Sequence, residues 1–178
     1  MGVYTQFGSI AGLVQSVVAD GFHRLGAGIG AVPHTDDPVA DLVAITRASI
    51  DFARTAPNLY QVMFGTIALG QYRPTTPAEL HTGRPETLDL VVGTCERAIA
   101  AHRFRHGDPS LIAHQWWCAV HGYNMLEIGG YIRPPASEKK VLVPMLETIF
   151  SGLGDDPDRI RASLRPALDV DSWQRAMR

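Results

Sequence analysis

The stretch SLIAHQWWCAVHGYNMLEIGGYI, residues 110–132, carries apolar or aromatic side chains around most of a helical circumference. It follows Asp108-Pro109, an N-cap side chain and a residue whose fixed φ suits the first helical position. A helix of this kind is buried on several sides, so other helices must surround it. The fold therefore turns on whether the rest of the chain supplies them.

Working outward, the same Asp-Pro device recurs at Asp37-Pro38 and Asp156-Pro157. After Pro38, the residues Val39, Leu42, Val43, Thr46, Ile50 and Ala53 form one apolar stripe that ends near Pro57. A short helix over NLYQVMFG is expected to stop at Gly65, and LGQYRPTTPAELHTGRP reads as a proline-rich loop. Pro85 then opens a helix with Leu88, Val91, Val92, Cys95 and Ile99 on one face. ASEKKVLVPMLETIFSGLG predicts another, capped by Ser137, bent by Pro144 and stopped at Gly152 or Gly154. Near the start, Ile10, Leu13, Val14, Val17, Val18, Phe22 and Leu25 keep helical spacing behind a Gly8-Ser9 turn and cap. GAGIGAVPHT, from Gly26, is expected to end that helix. No stretch alternates as a strand does, so the expected fold class is all-α.

Composition sets the outer bounds. The chain has 178 residues, 46% of them hydrophobic and 19% charged, with a formal net charge of −2. That size suits one domain with a sizeable core, and the balance does not suggest non-specific nucleic-acid binding. Cys95 and Cys118 are too few for a disulfide framework and both sit in apolar helical patterns, so both are expected as buried thiols. With no leader pattern and no apolar run long enough to span a bilayer, the expected location is cytoplasmic.

Two stretches carry a family resemblance. The chain opens MGVYTQFGSIAGLVQSVV, in which Val3-Tyr4-Thr5-Gln6-Phe7-Gly8-Ser9 runs into the first long helix. More than a hundred residues later, Trp117 to Glu127 reads W-x-x-x-H-G-x-x-x-L-E, introduced by HGDP at His106–Pro109. This pair resembles the TetR family of bacterial transcription regulators, in a subfamily with that C-terminal pattern. The resemblance covers essentially the whole chain. It implies a helical bundle with a partial helix-turn-helix and linking helix at 1–31, and a ligand-binding and dimerisation domain at 32–178.

From the resemblance, Val3, Tyr4, Thr5 and Gln6 would lie at the end of a recognition helix. Hydroxyls and amides there suit phosphate and base-edge contacts. The chain departs from the family in lacking the two helices that precede this one, and Ile10 stands where the family often has Lys. The only Lys or Arg in the first 35 residues is Arg24. Phosphate neutralisation supplies much of DNA affinity, so DNA binding by this chain is expected to be impaired. The expectation is that a segment is missing in front of Met1.

Tyr60, Met63 and Phe64 on the short helix, with Trp116, Trp117, His121 and Met125 on the long one, are the candidate ligand residues. Aromatic and methionine walls with a few polar groups suit a small apolar or aromatic effector, although aromatic stripes also build plain cores. His121 reads either as a ligand contact or as a hydrogen-bonded structural histidine. The pairs His114/His121 and His102/His106 lack the further donors a metal needs, so neither metal nor cofactor is expected. GAGIG follows a helix and precedes no Gly-Lys-Ser/Thr, so it is no phosphate loop. No nucleophile elbow or carboxylate pair supports an enzyme.

The last two long helices carry small residues at Gly122, Gly129 and Gly130 and more apolar face than a chain this short can cover. They are expected to form a homodimer with an isologous interface. The leading expectation is thus a ligand-responsive TetR-type regulator, acting as a repressor on operator half-sites about one turn of DNA apart. The alternative is a small-molecule-binding dimer derived from such a regulator that no longer binds DNA.

Overall fold

The computed structural model describes residues 9–64 and 83–167, which form seven α-helices and no strand. These are α1 (Ile10–Gly30), α2 (Pro38–Thr55), α3 (Pro57–Met63), α4 (Arg84–Ala100), α5 (Pro109–Ile128), α6 (Val143–Gly152) and α7 (Pro157–Ala167). None of them is long and apolar enough to cross a membrane.

Each expected cap at an Asp-Pro pair is made. Asp37 Oδ1 accepts from the Val39 and Ala40 amides, Asp108 Oδ1 from Ser110, and Asp156 Oδ1 from Asp158 and Arg159. Ser9 likewise caps α1 through the Gly12 amide at 3.1 Å. These bonds satisfy amides that have no partner inside the helix.

α2 is the hub, packed on α1, α3, α4, α5 and α7. Its predicted stripe is fully buried, with Val39, Leu42, Val43, Thr46 and Ile50 all at 0% exposure. Each large apolar side chain of the stripe removed from water contributes roughly 1.5–3 kcal/mol.

Several features depart from the sequence reading. α1 continues through Gly26 and Gly28 to Gly30, because Leu25 and Ile29 are buried and hold the last turns in place. A Cβ at Gly26 would stand 3.3 Å from Thr87 Oγ1, so the glycine permits a close α1–α4 approach. Ser137 does not cap a helix: it has helical dihedrals and its hydroxyl bonds the Tyr123 hydroxyl at 2.9 Å. Residues Glu138–Leu142 instead make a wide π-type turn that brings Glu138 inward, and Pro144 falls in the first turn of α6. The chain is helical from residue 136 through this turn into α6, so the π-type widening sits directly before Pro144, which lacks the amide for an α-helical bond. α5 buries one face only, leaving Leu111 62% and Leu126 46% exposed. Cys95 is buried, its thiol pushed up to about 12 by desolvation and by nearby Glu96, whereas Cys118 is exposed.

Three ionic clusters tie α2 to its neighbours. Arg103, between α4 and α5, grips both Asp155 carboxylate oxygens at 2.7 Å, donates to Ser163 at 2.9 Å and pairs with Asp37. Arg97 of α4 pairs with Asp41, which also accepts from the Thr35 amide and hydroxyl. Arg54 holds Glu127 of α5 and Glu138 of the π-turn, each at 2.7 Å. The Arg103 and Asp155 side chains are 3% and 1% exposed, so either left alone would be a buried, uncompensated charge. Arg103→Met is expected to cost about 3–5 kcal/mol in urea unfolding, while Arg103→Met with Asp155→Leu recovers most of the loss. Equal losses in the single and double variants would show that the cluster acts through packing and not charge.

Candidate functional site

A cleft of about 420 Å³ opens beside Phe64, between the start of α4 and the outer half of α5. Its walls are Phe64, Arg84, Pro85, Leu88, Asp89, His114 and Trp117. Volume and lining are those of a small-molecule site, mostly apolar with a few polar groups.

Phe64 stands at the centre of an aromatic cluster. Its ring centroid lies 5.8 Å from Trp117, 5.6 Å from Phe22, 4.7 Å from Tyr60 and 4.3 Å from the His121 imidazole. Beyond Phe64 runs a polar chain. The Tyr60 hydroxyl meets His121 Nδ1 at 2.9 Å and accepts from Asn124 Nδ2 at 3.1 Å, and Asn124 Nδ2 also faces Ser49 Oγ at 3.4 Å. The Tyr60 hydroxyl can accept from Asn124 and still donate its own proton to His121 Nδ1, an arrangement that suits a neutral imidazole. Burial holds His121 below its usual range, and the Arg84 charge adds to the effect. Burial likewise pushes the Tyr60 hydroxyl up to about 12, against the lowering bond from Asn124. Asn124 Oδ1 is buried without a partner.

Arg84 opens α4 behind Gly83, whose φ of +71° fits glycine and which caps the helix with no side-chain bond. Its Nη2 donates to the Met63 carbonyl at 3.0 Å, and its guanidinium lies over the Phe22 ring at 5.6 Å. Its Nε is buried without a partner, and burial lowers its pKa.

The candidate ligand residues thus separate. Phe64 and Trp117 face the cleft, and Tyr60 and His121 lie behind Phe64 in the polar chain. Met63 is buried against Gly21 of α1, where an added Cβ would come within 2.5 Å of its sulfur. Trp116 points into the core, its indole donating to Thr46 Oγ1 at 2.8 Å. Met125 is half-buried and does not line the cleft. Val3, Tyr4, Thr5 and Gln6 lie outside the described residues, as does most of the proline-rich loop.

Arg84, Leu88, Asp89 and His114 were not among the candidate residues. For Arg84 a signal was present: a cation in the first turn of a helix opposes the macrodipole, and such local misfits gather at functional sites.

A helical hub, a flanking cleft with an aromatic floor and a long helix with one face uncovered among the described residues describe an all-α domain. Residues 42–149, more than half of the chain, match the family described as "Tetracyclin repressor-like, C-terminal domain". The chain belongs to that family. No curated protein matches it. Among solved structures it is similar to one described as "Structure of a protein with unknown function from Rhodococcus sp. RHA1". The two share 24% identity over 84% of this chain and 76% of the other, with a TM-score of 0.71, which marks a shared fold.

The polar chain makes a pH dependence. His121 sits below its unfolded value of 6.5, so the unfolded chain binds the extra proton first as pH falls. Stability held by neutral His121 is therefore present above that value and is lost as pH falls through the lowered folded value. The urea midpoint of the wild type should exceed that of His121→Gln at neutral pH, and the gap should narrow on acidification. A gap independent of pH would mean that His121 contributes by packing alone.

Proposed function

We propose that the protein is a ligand-responsive transcriptional regulator of the TetR type, a repressor whose effector is a small apolar or aromatic molecule. It acts in the cytoplasm by binding, without catalysis. Residues 32–178 are its ligand-binding and dimerisation domain, and 1–31 its link to DNA, with Val3, Tyr4, Thr5 and Gln6 at the DNA surface. DNA binding by the 178-residue chain alone is weak, since Arg24 is the single Lys or Arg among its first 35 residues.

One observation supports this reading: an α1 side chain, Phe22, packs directly on two cleft residues, Phe64 and Arg84. Phe22 of α1 touches the cleft residue Phe64 with its ring edge and lies beneath Arg84. Gly83 comes so close that a Cβ there would meet Phe22 Cβ at 2.7 Å. A ligand that moves Phe64 or Arg84 thus acts on the helix that leads back to the DNA surface. Such a ligand shifts the equilibrium only by its differential affinity for the two arrangements of α1. The test is recovery of the protein with cross-linked DNA from its own cells. Enrichment of a two-fold symmetric sequence supports the reading. No enrichment, from a protein that still binds small aromatics, selects the non-DNA-binding ligand carrier instead.

The homodimer forms through the outer faces of α5 and α6. Leu111, Cys118 and Leu126 line the open side of α5, and a Cβ at Gly122 would meet nothing within 4 Å. Glycine in a helix costs about 1 kcal/mol against alanine, which nothing within the monomer requires at this position. Gly122→Gln should therefore keep or raise monomer stability while weakening self-association in sedimentation equilibrium. Unaltered association would place the interface elsewhere.

A further inference from the structure

Resting on the ligand-cleft reading above, we propose that the effector is a small aromatic carboxylate, its ring held by Phe64, Leu88 and Trp117 and its carboxylate by Arg84.

The argument begins with charge. Arg84 is half-buried in the wall of a largely apolar cleft, and no carboxylate pairs with it among the described residues. The other arginines in the interior, Arg54, Arg97 and Arg103, each hold an aspartate or glutamate. Among the described residues, Arg84 has one hydrogen bond, to the Met63 carbonyl, and the Phe22 ring face. Neither neutralises it. Acidic side chains are near in sequence: Glu86 and Asp89 are both exposed, and Asp89 stands at the cleft rim without pairing to Arg84.

Position strengthens the point. Arg84 occupies the first residue of a 17-residue helix, where the dipole repels a cation and attracts an anion. An anion at Arg84 would relieve that conflict and accept from a fork of donors built for carboxylates. The walls specify the remainder of the ligand. Phe64, Trp117 and Pro85 offer flat surfaces, Leu88 a branched one, and the volume suits a one- or two-ring body.

The test uses 2-naphthoate and its neutral isostere 2-naphthamide as probes, titrated calorimetrically into the full chain. The acid should bind about tenfold or more tightly than the amide, the effect of one charge-assisted pair. Arg84→Gln, which keeps an amide donor for Met63, should erase that preference, so that the acid and the amide bind alike. Arg84→Lys should retain part of it. Trp117→Ala should weaken both probes. Equal affinity of the two probes for the wild type, or a preference that survives in Arg84→Gln, overturns the proposal yet leaves the ligand cleft standing. Binding of neither probe to the wild type, or binding that Trp117→Ala leaves unchanged, overturns both.

Discussion

Arg103 contacts Asp155, Ser163 and Asp37 together, and by doing so fixes where α2 begins. Asp37 is also the N-cap of α2, so one carboxylate both starts the helix and anchors it to the α4–α5 connection and to α7. Arg97 with Asp41 repeats the attachment one turn later, and Arg54 with Glu127 and Glu138 repeats it at the far end. Ion pairs of this kind contribute little net stability against well-packed apolar replacements. What they add is position, because a rotated or shifted α2 would strand each of these charges in the interior. With α2 fixed, Thr46 orients the Trp116 indole and Ser49 orients Asn124, and through them α5 takes its place against the short helix α3.

The family pattern on α5 is then a set of separate tasks on one helix. Trp117 faces the cleft, His121 reaches back to Tyr60, and Glu127 holds Arg54. Gly122 and Leu126 look outward, toward no other part of the described chain. Helical geometry allows this, since residues three and four apart share a face while adjacent ones diverge by about 100°. A pattern that looks like one motif in sequence therefore serves a cleft wall, a core polar chain, an ionic tie and an open surface.

That divergence explains what could be read from sequence. Asp-Pro pairs and the α2 stripe locate helices because capping and burial are local or strictly periodic, and every residue of that stripe is in the core. Trp116 and Trp117 are neighbours of identical chemistry, yet one binds Thr46 and the other faces the cleft. Composition cannot separate them, and an all-round apolar helix gives no phase. Arg103 and Asp155 stand 52 residues apart, and Arg54 and Glu138 stand 84 apart, so neither pair leaves a local trace. Ser137 looked like a cap because serine commonly is one, but a buried tyrosine hydroxyl competes for the same side chain and wins.

Buried polar atoms without a partner occur in the ionic clusters, at Arg97 Nη1 and Glu138 Oε2, as well as near the cleft. What sets the cleft apart is charge: Arg54, Arg97 and Arg103 each hold a carboxylate, and Arg84 has none among the described residues. Around Phe64, Asn124 Oδ1 and Arg84 Nε are buried without partners. Such groups cost free energy. Under the reading proposed above, an anion at Arg84 would supply an acceptor next to Phe22, so its affinity would depend on where α1 holds that ring. A ligand controls a distant surface only through such a difference in affinity between two helix arrangements.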